Sequence, residues 1–188
     1  MSKATPRIDL ARFAACAALA ACAAFATVAC VEATPLPAAD PEPPPPDSPP
    51  IDFVYETADG GRLTAAELRG RFTVLAFVAT YDLASQAQVK ILGLVQRDHT
   101  PRVNVAVIAM EPVENRPLVI AFQQSLDLHF PVAIADARTV EGRGPFSGLN
   151  QVPSTVILDR EGREVFRHAG TLDEKKIRAE LDRLGKRR

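Results

Sequence analysis

The sequence predicts an α/β domain with a mixed central sheet flanked by helices, and three observations carry that prediction. Two runs, 72–79 (FTVLAFVA) and 103–109 (VNVAVIA), are almost unbroken in apolar residues, as expected of strands covered on both faces. A stretch with helical spacing of apolar positions follows each run, so strand and helix alternate and the early strands pair in parallel. Near the C-terminus, 154–158 and 164–168 flank the turn Asp159-Arg160-Glu161-Gly162, a hairpin that adds antiparallel strands.

The chain opens with Lys3, Arg7 and Arg12 before an Ala-rich apolar run from Phe13 to Val31. A charged start followed by an apolar stretch reads as an export signal in residues 1–30, outside the fold. Within it, Leu19-Ala20-Ala21-Cys22 has the pattern of a bacterial lipobox, in which small residues precede a cysteine that becomes lipidated. Thr27-Val28-Ala29-Cys30 matches less well but sits better, after a longer apolar run and just before polar sequence. Lipidation at Cys22 or Cys30 would make a membrane-anchored lipoprotein of the cell envelope, facing the periplasm or the outside. An uncleaved membrane anchor and ordinary signal cleavage are the alternatives. Residues 31–50 carry nine prolines, four of them consecutive at 43–46. Such a segment cannot build a core and favours an extended linker reaching on the order of 60 Å at ~3.1 Å per residue.

The domain, 51–188, begins with Phe53-Val54-Tyr55 and Arg62-Leu63 around Asp59-Gly60-Gly61, a hairpin extension before the main sheet. Thr64-Ala65-Ala66-Glu67 fits a capping box that starts a short helix ended by Gly70. After the first buried strand and a short turn, Ser85-Gln86-Ala87-Gln88 fits another box. Val89, Leu92 and Val95 or Gln96, with Ile91 and Leu94, then trace a helical stripe until Pro101. Beyond the second buried strand, Asn115 is a candidate cap for a helix over 118–126, and 130–135 reads as a short strand. Residues 136–151 read as the longest irregular stretch of the domain. Thr171-Leu172-Asp173-Glu174 fits a third box, opening a last helix with apolar positions Leu172, Ile177, Leu181 and Leu184.

Composition excludes several functions. All three cysteines, Cys16, Cys22 and Cys30, precede the domain, which therefore has no disulfide, no thiolate metal site and no thiol nucleophile. His99, His129 and His168 lack ligand spacing, so neither a metal nor another cofactor is expected. Lys and Arg number 22 against 23 Asp and Glu, and setting aside Lys3, Arg7, Arg12 and Asp9 leaves 19 against 22. With no basic block in the domain and few aromatics, nucleic acid is not an expected partner. The terminal Lys186-Arg187-Arg188 suits a solvated helix end.

Three segments resemble the thioredoxin superfamily, and within it the membrane-tethered TlpA/ResA-type redoxins of bacterial envelopes. DGGRLTAAELRGRFTVLAFVATY is similar to that family's hairpin, short helix and strand before the active site. Val152-Pro153-Ser154-Thr155-Val156-Ile157-Leu158-Asp159-Arg160-Glu161-Gly162 is similar to the segment in which a cis-proline precedes the penultimate hairpin. The capped closing helix is the third. The resemblance runs from about Ile51 to the C-terminus and implies a thioredoxin-like fold.

It also implies a site. The family's strand ends in an aromatic residue followed by Cys-x-x-Cys; aligned from Tyr81, the cysteine positions are Asp82 and Ser85. Thiol–disulfide exchange needs a thiolate to attack a disulfide sulfur and a second thiol to resolve the product, which a carboxylate and an unactivated serine cannot provide. Asp82 and Ser85 also read as helix-start residues at the spacing of caps. The expectation is a redox-inactive envelope domain binding a protein or peptide between Tyr81-Asp82 and Val152-Pro153, an interaction that pairs a strand edge with an extended chain. The alternative is a redoxin-type enzyme that acts with a partner's thiols.

Overall fold

The computed structural model describes residues 48–186. The stretch expected to be an export signal, Cys22, Cys30 and nearly all of the proline-rich segment lie outside the described residues. In chain order the elements are β1 (Val54–Thr57), β2 (Arg62–Thr64), α1 (Ala65–Leu68), β3 (Phe72–Val78), α2 (Leu83–His99), β4 (Val103–Ala109), α3 (Arg116–Ser125), β5 (Val132–Ile134), α4 (Ala137–Val140), β6 (Ser154–Leu158), β7 (Glu164–Ala169) and α5 (Glu174–Gly185). The strands form one sheet in the order β2-β1-β5-β4-β3-β6-β7. β3, β4 and β5 are parallel, whereas β1 pairs antiparallel with both β2 and β5, and β6 pairs antiparallel with both β3 and β7. This is a thioredoxin-like mixed sheet. The N-terminal hairpin is part of it, because β1 bonds to β5.

The continuous apolar runs have the expected cause. β3 lies between β4 and β6, and its alternate residues enter two different cores. Val74, Ala76 and Val78 face Val89, Leu92 and Val95 of α2, Val119 and Phe122 of α3, and Ile177, Leu181 and Leu184 of α5. Leu75 and Phe77 face Phe53, Tyr55, Leu63, Leu68 and Phe146. A strand buried this way has no polar side to show, so its two-residue periodicity disappears from the sequence.

Several local expectations are corrected. Thr64 and Glu67 do form a capping box, but the other two boxes do not exist. α2 is capped by Asp82 and α5 by Asp173, each accepting a hydrogen bond from the amide three residues on. Ser85 and Thr171 are not caps; Ser85 lies inside the first turn of its helix, and the Gln88 side chain that should have closed its box instead accepts a hydrogen bond from Leu172 N–H at 2.7 Å. Asn115 precedes α3 but makes no side-chain capping bond, and α3 starts at Arg116, with Pro117 in the first turn where its missing N–H costs nothing. Residues 136–151 are less irregular than expected. Asp136 caps the single turn α4, and Phe146 is buried between Phe53 and Phe77, with ring centroids 5.4 and 5.0 Å away. The loop is thus a covering layer of the second core. Among the described residues no helix is long and apolar enough to cross a membrane.

Candidate functional site

The turn from β3 into α2 is held from four directions. Asp82 N–H donates to Ala79 C=O at 3.2 Å. Ala79 N–H donates to Ser85 Oγ at 3.2 Å, Thr80 N–H donates to Glu111 Oε1 at 2.7 Å, and Gln86 Nε2 donates to Thr80 C=O at 3.1 Å. Each polar group of a buried turn needs such a partner, and here side chains from α2 and from the end of β4 supply them. Asp82 itself is extended (φ −93°, ψ 124°), the conformation of a residue that caps a helix it does not join.

Asp82 and Ser85 are brought into direct contact. Ser85 donates both its N–H and its hydroxyl to Asp82 Oδ2, each at 2.7 Å. These two donors, the hydroxyl first and the amide second, hold the Asp82 carboxyl below the usual carboxylate range. Ser85 is fully buried, its hydroxyl proton is committed to Asp82, and its oxygen accepts the Ala79 amide. It is therefore a connector between strand end and cap, buried and with its hydroxyl engaged on both sides.

The other predicted residues lie at the same end of the sheet. The β3–β6 ladder ends at Phe77 opposite Ser154, so Val152 and Pro153 lead into β6 just where β3 leads out to Thr80 and Tyr81. The Val152–Pro153 peptide is cis. Pro153 is buried and its carbonyl accepts the Gly170 N–H at 2.7 Å. No hydrogen bond to another described residue uses the Val152 N–H or C=O. Tyr81 is 82% exposed and its neighbour Leu83 is 78% exposed, so two large apolar surfaces stand beside the cap. Among the described residues no hydrogen bond joins Tyr81 or Asp82 to Val152 or Pro153.

Glu111 was not expected. It is buried just after β4, with Oε1 on Thr80 N–H and Oε2 without a partner among the described residues. The available signal was its position: a carboxylate immediately after a buried parallel strand adjacent to β3 lies where such sheets place functional groups. Gln88, also buried, ties α2 to the segment before α5.

No protein-family model matches the chain. The thioredoxin-like protein YneN of Bacillus subtilis (strain 168) is 25% identical over 132 residues, 70% of this chain and 75% of YneN. The thiol-disulfide oxidoreductase ResA of the same organism is 28% identical over 126 residues, 67% of this chain and 68% of ResA. Among solved structures, a secreted Mycobacterium tuberculosis disulfide oxidoreductase homologous to E. coli DsbE superposes with a TM-score of 0.60 at 18% identity, covering 71% of this chain and 96% of that one. The sheet order, the strand-to-helix turn and these likenesses agree: the chain has a thioredoxin-like fold and is similar to the thioredoxin-like protein YneN and the thiol-disulfide oxidoreductase ResA.

Proposed function

We propose that this chain is an exported, envelope-tethered thioredoxin-like domain that carries out no thiol–disulfide exchange and binds an extended polypeptide in the cleft between Tyr81-Asp82 and Val152-Pro153. The observation that carries the reading is the Asp82–Ser85 pair. At the positions matched to the family's two cysteines stand a carboxylate and a buried hydroxyl already bonded to each other. Neither can attack a disulfide, and no cysteine follows Cys30. What remains suits binding: an exposed aromatic residue, a fixed negative charge, and the unpaired Val152 peptide groups that a strand-like ligand can meet.

The entry of the chain supports a tether. Ile51 N–H donates to Gly162 C=O at 2.8 Å, and Gly162 lies in the β6–β7 turn, at the end of β6 away from Pro153. The linker therefore joins the sheet at one end and the cleft opens at the other, about 20 Å away at roughly 3.3 Å per strand residue. ResA and the DsbE homologue support export by likeness.

The decisive experiment uses the full chain with Asp82→Cys and Ser85→Cys. Wild type is expected to reduce no disulfide in a model protein, and the double variant to gain measurable reduction. Turnover by wild type overturns the redox-inactive reading. Binding is tested separately with a carboxymethylated, permanently unfolded polypeptide as probe: Tyr81→Ala is expected to weaken its binding severalfold, and absence of binding by wild type overturns the cleft. The alternative, a redoxin acting with a partner's thiols, could be trapped as a mixed disulfide only with a free Cys22 or Cys30 in the mature chain, which mass spectrometry of the N-terminus detects.

A further inference from the structure

A second depression opens at the same end of the sheet, on the other side of β4. β1, the turn after β4, the end of β5 and α4 enclose about 480 Å³, within the range of roughly 300–1,000 Å³ typical of ligand sites. Its surface combines Tyr55, Ile134 and Ala135 with three outward side chains: Val54 (58% exposed), Val113 (51%) and Val140 (40%). These are three of the seven large apolar side chains exposed among the described residues. Exposed apolar surface gathered in one place, with a polar rim, marks an interaction surface; scattered singly it would mean nothing.

The rim has one sign of charge. Glu56, Glu114, Asp136 and Glu141 line the depression, and no Lys, Arg or His does. Two of the four are engaged at the surface, Glu56 with Arg116 and Glu141 with Arg143, and Asp136 caps α4. Exposed ion pairs of this kind are weak and exchange readily. Glu114 has no ion-pair partner among the described residues. The far end of the sheet is opposite in character: Arg71, Arg102, Arg160 and Lys186 surround a depression there with Asp182 as its single carboxylate. The two depressions thus differ in the sign of the charged side chains that line them.

We infer that this groove is a second polypeptide site, distinct from the Tyr81–Pro153 cleft, and that its occupant is a cationic amphipathic segment of a partner protein. Apolar side chains of the segment pack on Val54, Val113 and Val140, and its Lys or Arg residues face Glu56, Glu114 and Glu141. Such a rim steers a basic ligand in and rejects an acidic one, because like charges brought together at an interface are costly.

The test uses the full chain in a neutral detergent and a short fluorescent peptide in which Leu and Lys alternate, read by anisotropy with the micelle-only signal subtracted. Binding is expected for this peptide and not for its Leu–Glu counterpart, and it should fall as salt rises. Glu114→Lys with Glu141→Lys should weaken it about tenfold or more. Val113→Ser should weaken it severalfold, with the unfolding temperature unchanged because these side chains are exposed. Tyr81→Ala should leave it intact. Equal binding of the acidic peptide, or indifference to the groove variants, overturns the proposal. A dimer of the chain that Val113→Ser abolishes would give the groove to a second copy and also overturn it. Loss of binding in Tyr81→Ala alone would place the peptide in the other cleft, overturning this inference while leaving the proposed function standing.

Discussion

Two long helices of this domain start in the same way and are used differently. α2 begins at Asp82 and α5 at Asp173, and each aspartate accepts the amide three residues on, Ser85 N–H at 2.7 Å and Lys176 N–H at 2.8 Å. At Asp173 the arrangement ends there. Residue three is an exposed lysine that contributes only its backbone N–H. At Asp82 residue three is a buried serine that returns a second hydrogen bond to the cap and receives one from the preceding strand. The difference teaches that a cap becomes part of a site when its partner residue is buried and shared. Asp82 is fixed relative to β3, Glu111 and Gln86; Asp173 is fixed only relative to its own helix.

The comparison can be broken in a graded way. The largest effect is expected for Ser85→Ala, which strands the Ala79 N–H in a buried turn and removes one donor from Asp82. Denaturant unfolding should show a loss of about 1–3 kcal/mol, whereas Lys176→Ala at the matching position of α5 should stay within about 0.5 kcal/mol of wild type. Next, Asp173→Ala should cost about 1 kcal/mol as an ordinary cap, and Asp82→Ala should cost more, toward about 2 kcal/mol, because Ser85 loses its acceptor as well. Equal losses would show that the Ser85 link carries no energy.

A smaller effect is expected for Asp82→Asn, which keeps a capping oxygen and removes the charge. Its signature is in pH. The Asp82 carboxyl is depressed in the folded state, so the unfolded chain takes up a proton first as acid is added. The stability this contributes is complete above the unfolded value near ~4 and is lost as pH falls from there through the lower folded value. The gap between wild type and Asp82→Asn should therefore narrow as pH falls below about 4. A gap that stays constant down to the acid limit would mean the carboxylate charge is not coupled to the fold.

Legibility from sequence followed how local each cause was. Asp82 was readable as a helix-start residue because a cap uses its own next turn. So was the Thr64–Glu67 box, which formed as expected. The Ser85–Gln88 and Thr171–Glu174 boxes matched the same pattern and did not form. Ser85 is buried and bonded to Asp82, Gln88 turns away to Leu172 N–H, and Asp173 takes the place of Thr171. Pattern alone cannot choose between a residue and a neighbour two or three places on; burial does. Phe146 shows the same limit in the core. Its surroundings, with glycines at 142, 144 and 148 and a proline at 145, suggest loop, and the chain there is mostly loop. Only its packing against Phe53 and Phe77 on the second face of the sheet makes its ring part of the core.

The sequence by itself determined the alternation of strands and helices, the buried character of β3 and β4, and the absence of any thiol after Cys30. Those properties depend on residue type and short-range spacing, which the chain carries wherever it goes. The tertiary structure alone decided that Glu111 holds Thr80, that Ser85 is sealed between strand and cap, and that three exposed valines from β1, α4 and the turn after β4 share one groove with four carboxylates. The first and last of these join residues far apart in the chain, which only the sheet order β2-β1-β5-β4-β3-β6-β7 brings to the same end of the molecule, whereas Ser85 is sealed by residues within six positions of it once strand and helix pack together.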